Sequence, residues 1–96
     1  MKDFILLMHD DASSRPRAAD WGAYFARLRA GGHFDGGSAI GGGACFRKSD
    51  DARPLSVLSG YIRIQAESLA QAKSLLAGNP VYEAGGTVEI RELPRE

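Results

Sequence analysis

The chain has 96 residues, with 12 Lys and Arg balanced by 12 Asp and Glu for a formal net charge of zero. That length makes a single domain over residues 1–96, and bulk charge gives no reason to expect a nucleic-acid or anionic-membrane surface. One cysteine, Cys45, excludes an intrachain disulfide and agrees with a cytoplasmic setting. As a free Cys it is expected to be a small apolar filler.

Phe4 to His9 is a short apolar run bounded by Asp3 and by Asp10-Asp11. Its length and flanks favour a strand, and its apolar character on both faces predicts a central strand covered twice. The run Phe4–Met8 is too short for a signal-peptide core or a membrane span. Ser14 and Pro16 mark the approach to a helix over Ala18–Ala30. In it Trp21, Tyr24, Phe25 and Leu28 share one face, and Gly31-Gly32 ends it. His33 to Gly43 gives a weak strand signal, with Ser38-Ala39-Ile40 as its centre and bulging expected among the glycines. This glycine cluster lacks the Gly-Lys-Ser/Thr ending of a phosphate loop. Ala44 to Pro54 is polar and reads as a loop.

Val57 to Ala66 is the best strand, with Ile62, Ile64 and Ala66 alternating against Tyr61, Arg63 and Gln65. Ser68 and Gln71 form a capping box for a second helix that ends at Gly78. Asn79 to Gly86 reads as a helix exit and a Gly-Gly turn. A terminal strand follows, with Val88 and Ile90 on one face and Thr87, Glu89 and Arg91 on the other, stopped by Pro94. The order strand, helix, strand, strand, helix, strand is the α+β, ferredoxin-like βαββαβ pattern: a four-stranded antiparallel sheet with both helices on one face. The other face carries Tyr61, Arg63, Gln65, Glu89 and Arg91, so a second copy is expected to cover it, giving a homodimer around a partly polar cavity.

His9 is the candidate acid–base group, because it closes the first strand beside Asp10 and Asp11; the alternative is a strand-end His bonded to backbone. His33 reads as a helix-exit residue satisfying free carbonyls. The two histidines have no metal-ligand spacing, so no metal and no other cofactor is expected. Trp21, Tyr24 and Phe25 form an aromatic helix face that reads as core packing. Arg63 and Arg91 either pair with Glu89 at a dimer interface or clamp a carboxylate through a bidentate fork. RNA-recognition domains share this strand–helix order, but the central strands here offer Tyr61 alone as a stacking platform, and no nucleic-acid partner is expected.

The chain resembles the YCII-related superfamily, within it the DGPF-domain branch. The resemblance is carried by Phe4-Ile5-Leu6-Leu7-Met8-His9-Asp10, by Trp21 to Leu28 followed by Gly32 and Gly37, by Gly60 to Ser68, and by Gly86 to Leu93. It implies a dimeric α/β-barrel with a small-molecule cleft, and the family position of Trp21 at the cleft rim implies an indole platform for a flat ligand. Members of the YCII type carry a His–Asp pair; Trp21 stands here at the position of the His and Asn79 at that of the Asp. The Gly-Pro-Phe signature of longer members is missing as well. Wider relatives include cofactor-independent monooxygenases that use Asn, Trp and His. The expected function is therefore a small-molecule-binding domain, either an enzyme acting on a small organic substrate or a non-catalytic ligand-sensing or dimerisation module. Its candidate site residues are His9, Trp21, Tyr24, Arg63, Asn79 and Arg91, with Trp21 and Asn79 at the cleft mouth.

Overall fold

A computed structural model describes residues 1–95. The elements run β1 (Lys2–His9), α1 (Ala18–Ala30), β2 (Phe34–Ala39), β3 (Leu58–Ala66), α2 (Leu69–Ser74), α3 (Pro80–Glu83) and β4 (Val88–Leu93). The strands form one sheet in the order β2-β3-β1-β4, every neighbouring pair antiparallel. This is the ferredoxin-like arrangement that the order of elements predicts, with β1 central.

The two-residue period of a strand sorts β1 into two sets. Phe4, Leu6 and Met8 are buried, whereas Ile5, Leu7 and His9 are half-buried. Ile62, Ile64 and Ala66 of β3 join the buried set, and Tyr24 and Leu28 of α1, Ala72 of α2, Leu76 beyond it and Val81 of α3 close the core from the helix side. Burying a side chain such as Leu6, which is wholly enclosed, contributes about 1.5–3 kcal/mol. The opposite face of β1 carries no helix, so the double cover expected for this strand is present on one side of a single chain.

Local chemistry sets the ends. Ser68 caps α2 by accepting the Gln71 N–H at 3.1 Å, and the Gln71 side chain reaches back to the N–H of Glu67, one residue before the cap. The helix is shorter than the sequence predicts, ending at Ser74 and passing through turns to Gly78, whose φ of +84° suits glycine alone. Residues 79–86 are more ordered than a plain exit and turn: Asn79 caps the short α3, with Pro80 at its first position. β2 lies within the expected His33–Gly43 stretch but is shorter, ending at Ala39, and its register against β3 slips between Phe34 and Gly37, around Gly36. Residues 40–57 have no regular secondary structure, and Phe46 and Leu55 project from them almost fully exposed. Cys45 is exposed too, so it is not the buried filler its type predicts; the segment carrying it does not return to the core.

Candidate functional site

Between α1 and the β2–β3 edge of the sheet lies a cleft of about 960 Å³. Its floor is low because small residues line it. Gly37, Ala39 and Gly60 face α1 there, and a Cβ on Gly60 would stand 3.3 Å from the Met8 methyl. One wall is aromatic. Trp21 and Phe25, one turn apart on α1, stack with centroids 5.6 Å apart and planes 28° from parallel. Phe25 continues to Phe34 at 5.3 Å, and the Arg29 guanidinium lies 4.7 Å from the Phe34 ring centre. The loop from Asp10 to Pro16 forms the rim with Arg15, Ser13 and Ser14. That loop is fixed through Asp11, whose carboxylate accepts the N–H and the hydroxyl of Thr87 at 2.7 and 2.6 Å. The two bonds hold the Asp11 carboxyl below its ordinary range.

The six candidate residues do not converge on this cleft. Trp21 lines it. Tyr24, from the same helix, turns into the core, and its hydroxyl donates to the Leu75 carbonyl at 2.8 Å. Burial pushes the Tyr24 phenol up, an effect partly offset by Asn79 and Arg27. Asn79 is fully enclosed and caps α3, its Oδ1 accepting the N–H groups of Val81 and Tyr82 at 3.0 and 3.1 Å. Its Nδ2 makes no hydrogen bond of good geometry. Asn79 is therefore not at the cleft mouth.

Arg63 and Arg91 lie on the helix-free face, flanking Ile5 from either side in the strand register. Arg91 donates to Glu89 at 2.7 Å, and Arg63 stands 3.7 Å from Asp35. On the same face Asp3 takes Arg95 at 2.7 Å and the Gln65 amide at 3.3 Å. The polar groups of this face are thus largely paired with one another. His9 stands at the junction of both regions. It lines the cleft, and its ring bridges Ser56 and Glu89. The Nδ1–Ser56 Oγ distance is 2.6 Å and the Nε2–Glu89 Oε1 distance 3.1 Å. Arg91 and then His9 hold the Glu89 carboxyl below its usual value. Ser56 was not among the candidates, since an exposed Ser after Pro54-Leu55 has no distinguishing spacing. His33 satisfies both a helix and a strand: its backbone N–H donates to the Leu28 carbonyl of α1 at 2.9 Å, as expected at a helix exit, and its ring Nδ1 lies 2.7 Å from the Gln65 carbonyl.

Among the described residues no three His, Cys, Asp or Glu side chains gather as a metal-holding group, and no helix is long and apolar enough to cross a membrane.

No family model matches the chain, and no curated protein matches it. Among solved structures it is similar to the 5-chloro-2-hydroxyhydroquinone dehydrochlorinase of Burkholderia phenoliruptrix AC1100, in complex with 2,5-dihydroxybenzoquinone. The TM-score is 0.59 at 18% sequence identity, over 98% of this chain and 95% of the other. At that identity the likeness establishes the shared fold.

Proposed function

We propose that this chain is a homodimeric small-molecule-binding domain of the YCII-related kind, and that it takes a flat organic molecule in the cleft between α1 and the β2–β3 edge. The stacked Trp21–Phe25 wall over a glycine floor carries this reading, because it offers a ring-sized slot with an aromatic face. The similar dehydrochlorinase is described with a flat hydroxylated ring bound, which supports the same ligand class. Half-buried Ile5, Leu7 and Leu93 on the helix-free face support the second copy.

The His–Asp chemistry of YCII-type members is not part of the proposal. Trp21 occupies the place of the His, and Asn79, in the place of the Asp, is spent on capping α3. This favours ligand sensing over turnover by that pair.

Trp21 is the sole tryptophan, so its emission reports the cleft directly. Titration with 2,5-dihydroxybenzoquinone and a set of hydroxylated benzenes should change that emission saturably. Calorimetry should show the binding lost in Trp21→Ala and retained in Arg91→Ala, whose side chain is on the other face. Absence of binding heat across the set, or equal affinity in Trp21→Ala, would remove the cleft from the function.

A further inference from the structure

We propose that Ser56, His9 and Glu89 form a nucleophile–base–orienter relay that hydrolyses small carboxylic esters by way of an acyl-Ser56 intermediate. The three groups come from separate parts of the chain, 47 and 80 residues apart, and meet within hydrogen-bond reach at the end of β1. A hydroxyl on a base that is itself oriented by a third group is the signature of an activated nucleophile.

The direction of the hydrogen bonds is the productive one. The ionised Glu89 only accepts, so its bond to His9 requires a proton on Nε2. Neutral His9 then presents the Nδ1 lone pair to the Ser56 hydroxyl, 2.6 Å away. Glu89 is fixed in turn by Arg91, which binds its second oxygen at 2.7 Å. Exposure is graded suitably: the His9 side chain is 15% accessible, while Ser56 is open to a substrate. Among the described residues the backbone N–H groups of Ser56 and Val57 donate to no protein acceptor. Serine acyl-transfer sites draw oxyanion donors from such groups, the nucleophile's own N–H in one fold and that of the next residue in another, each with a second donor from elsewhere in the site.

In the first step Ser56 Oγ adds to the ester carbonyl carbon as its proton passes to His9 Nδ1, and the carbonyl electron pair moves onto oxygen. Collapse restores the carbonyl and breaks the bond to the leaving alkoxide, which takes the proton from His9 and departs as the alcohol. Water then adds to the acyl-serine by the same route, releasing the carboxylic acid and free Ser56. Ser56 and His9 are catalytic residues in this scheme, and Glu89 is a positioning residue.

The test uses diisopropyl fluorophosphate on the full chain. Attack by Ser56 forms an Oγ–P bond, expels fluoride and leaves an adduct that peptide mass mapping locates. One adduct at Ser56 is expected, absent in Ser56→Ala and formed about 100-fold more slowly in His9→Gln, the contribution usual for a general base. With p-nitrophenyl acetate, Glu89→Gln should lower kcat at least about tenfold and leave KM in place, since it keeps the acceptor and removes the charge. Circular dichroism of each variant separates loss of fold from loss of chemistry. No adduct at Ser56 in the wild-type chain, or equal labelling rates in a folded His9→Gln, would overturn the proposal. The result is independent of whether the Trp21 cleft binds a ring.

Discussion

Asn79 shows how one residue can look like chemistry and be architecture. It is enclosed and polar, and it stands at the position where YCII-type proteins, which the sequence resembles, carry an acid. Both lone-pair sites of its Oδ1 are occupied by the first turn of α3, and Pro80 needs no partner for a missing N–H. Replacing Asn79 with Ala should cost about 1–2 kcal/mol, the range for a lost cap. Urea denaturation measures it, and ring binding in the cleft should survive. The signal was present in the sequence as Asn followed by Pro, a start signature. It was masked by Gly78, which reads just as well as a stop. His9 was legible in a similar half-way manner. Strand alternation gives it the face of Ile5 and Leu7, but its partners Ser56 and Glu89 lie too far along the chain for spacing to predict.

The elements were most legible where period and caps agreed. β1, α1 and β3 match their patterns to within a residue or two, and the Ser68 cap is made as the sequence predicts. β2 was weak because its glycines carry no side-chain period, and the structure shows why glycine is used. A Cβ on Gly37 would lie 2.5 Å from the Tyr61 carbonyl oxygen and 3.1 Å from the Ile62 Cα, backbone atoms of β3 that cannot swing aside. Gly37→Ala should therefore push β2 away from β3, lower the melting temperature and weaken ring binding, because β2 supplies part of the cleft floor. Gly41→Ala, with nothing within 4 Å of the new atom, is the control and should melt like the wild type. A pair with equal melting temperatures would show that β2 tolerates the displacement. A cleft beside Trp21 was expected through the resemblance, but its walls and floor were not legible: they exist because Trp21 and Phe25 on one helix face small residues on two strands, a juxtaposition set by topology.

For the whole molecule, the distribution of charge makes two claims. Asp3, Asp11, Asp20 and Glu89 are all held below their ordinary values, chiefly by Arg95, Thr87, Arg17 and Arg91 respectively. A carboxyl whose folded value is depressed contributes stability fully above its unfolded value, near 3.8 for Asp and 4.5 for Glu, and loses it as pH falls through the folded one. The melting temperature should hold through neutral pH and drop below about pH 4.5, with a shallower drop in Asp11→Asn. A flat profile down to pH 3 would mean that these pairs are matched in the unfolded chain. The second claim concerns the helix-free face. Its charges largely neutralise one another, leaving Ile5 and Leu7 as an apolar centre inside an ion-paired rim, the anatomy of an interface. In the proposed dimer a two-fold axis would set each copy's face against the other's, so that a substitution there acts twice. Ile5→Arg would place a third cation in the row between Arg63 and Arg91, and would do so on both copies. It leaves the core untouched, because Phe4 and Leu6 point the other way. Sedimentation velocity should therefore show a dimer for the wild type and a folded monomer for Ile5→Arg, whereas Leu6→Ala should lose about 2–5 kcal/mol of stability from the core and, while folded, still dimerise. A wild-type monomer at all concentrations would mean that the rim charges close this face in a single chain, and the Trp21 cleft would then have to bind its ligand without a second copy.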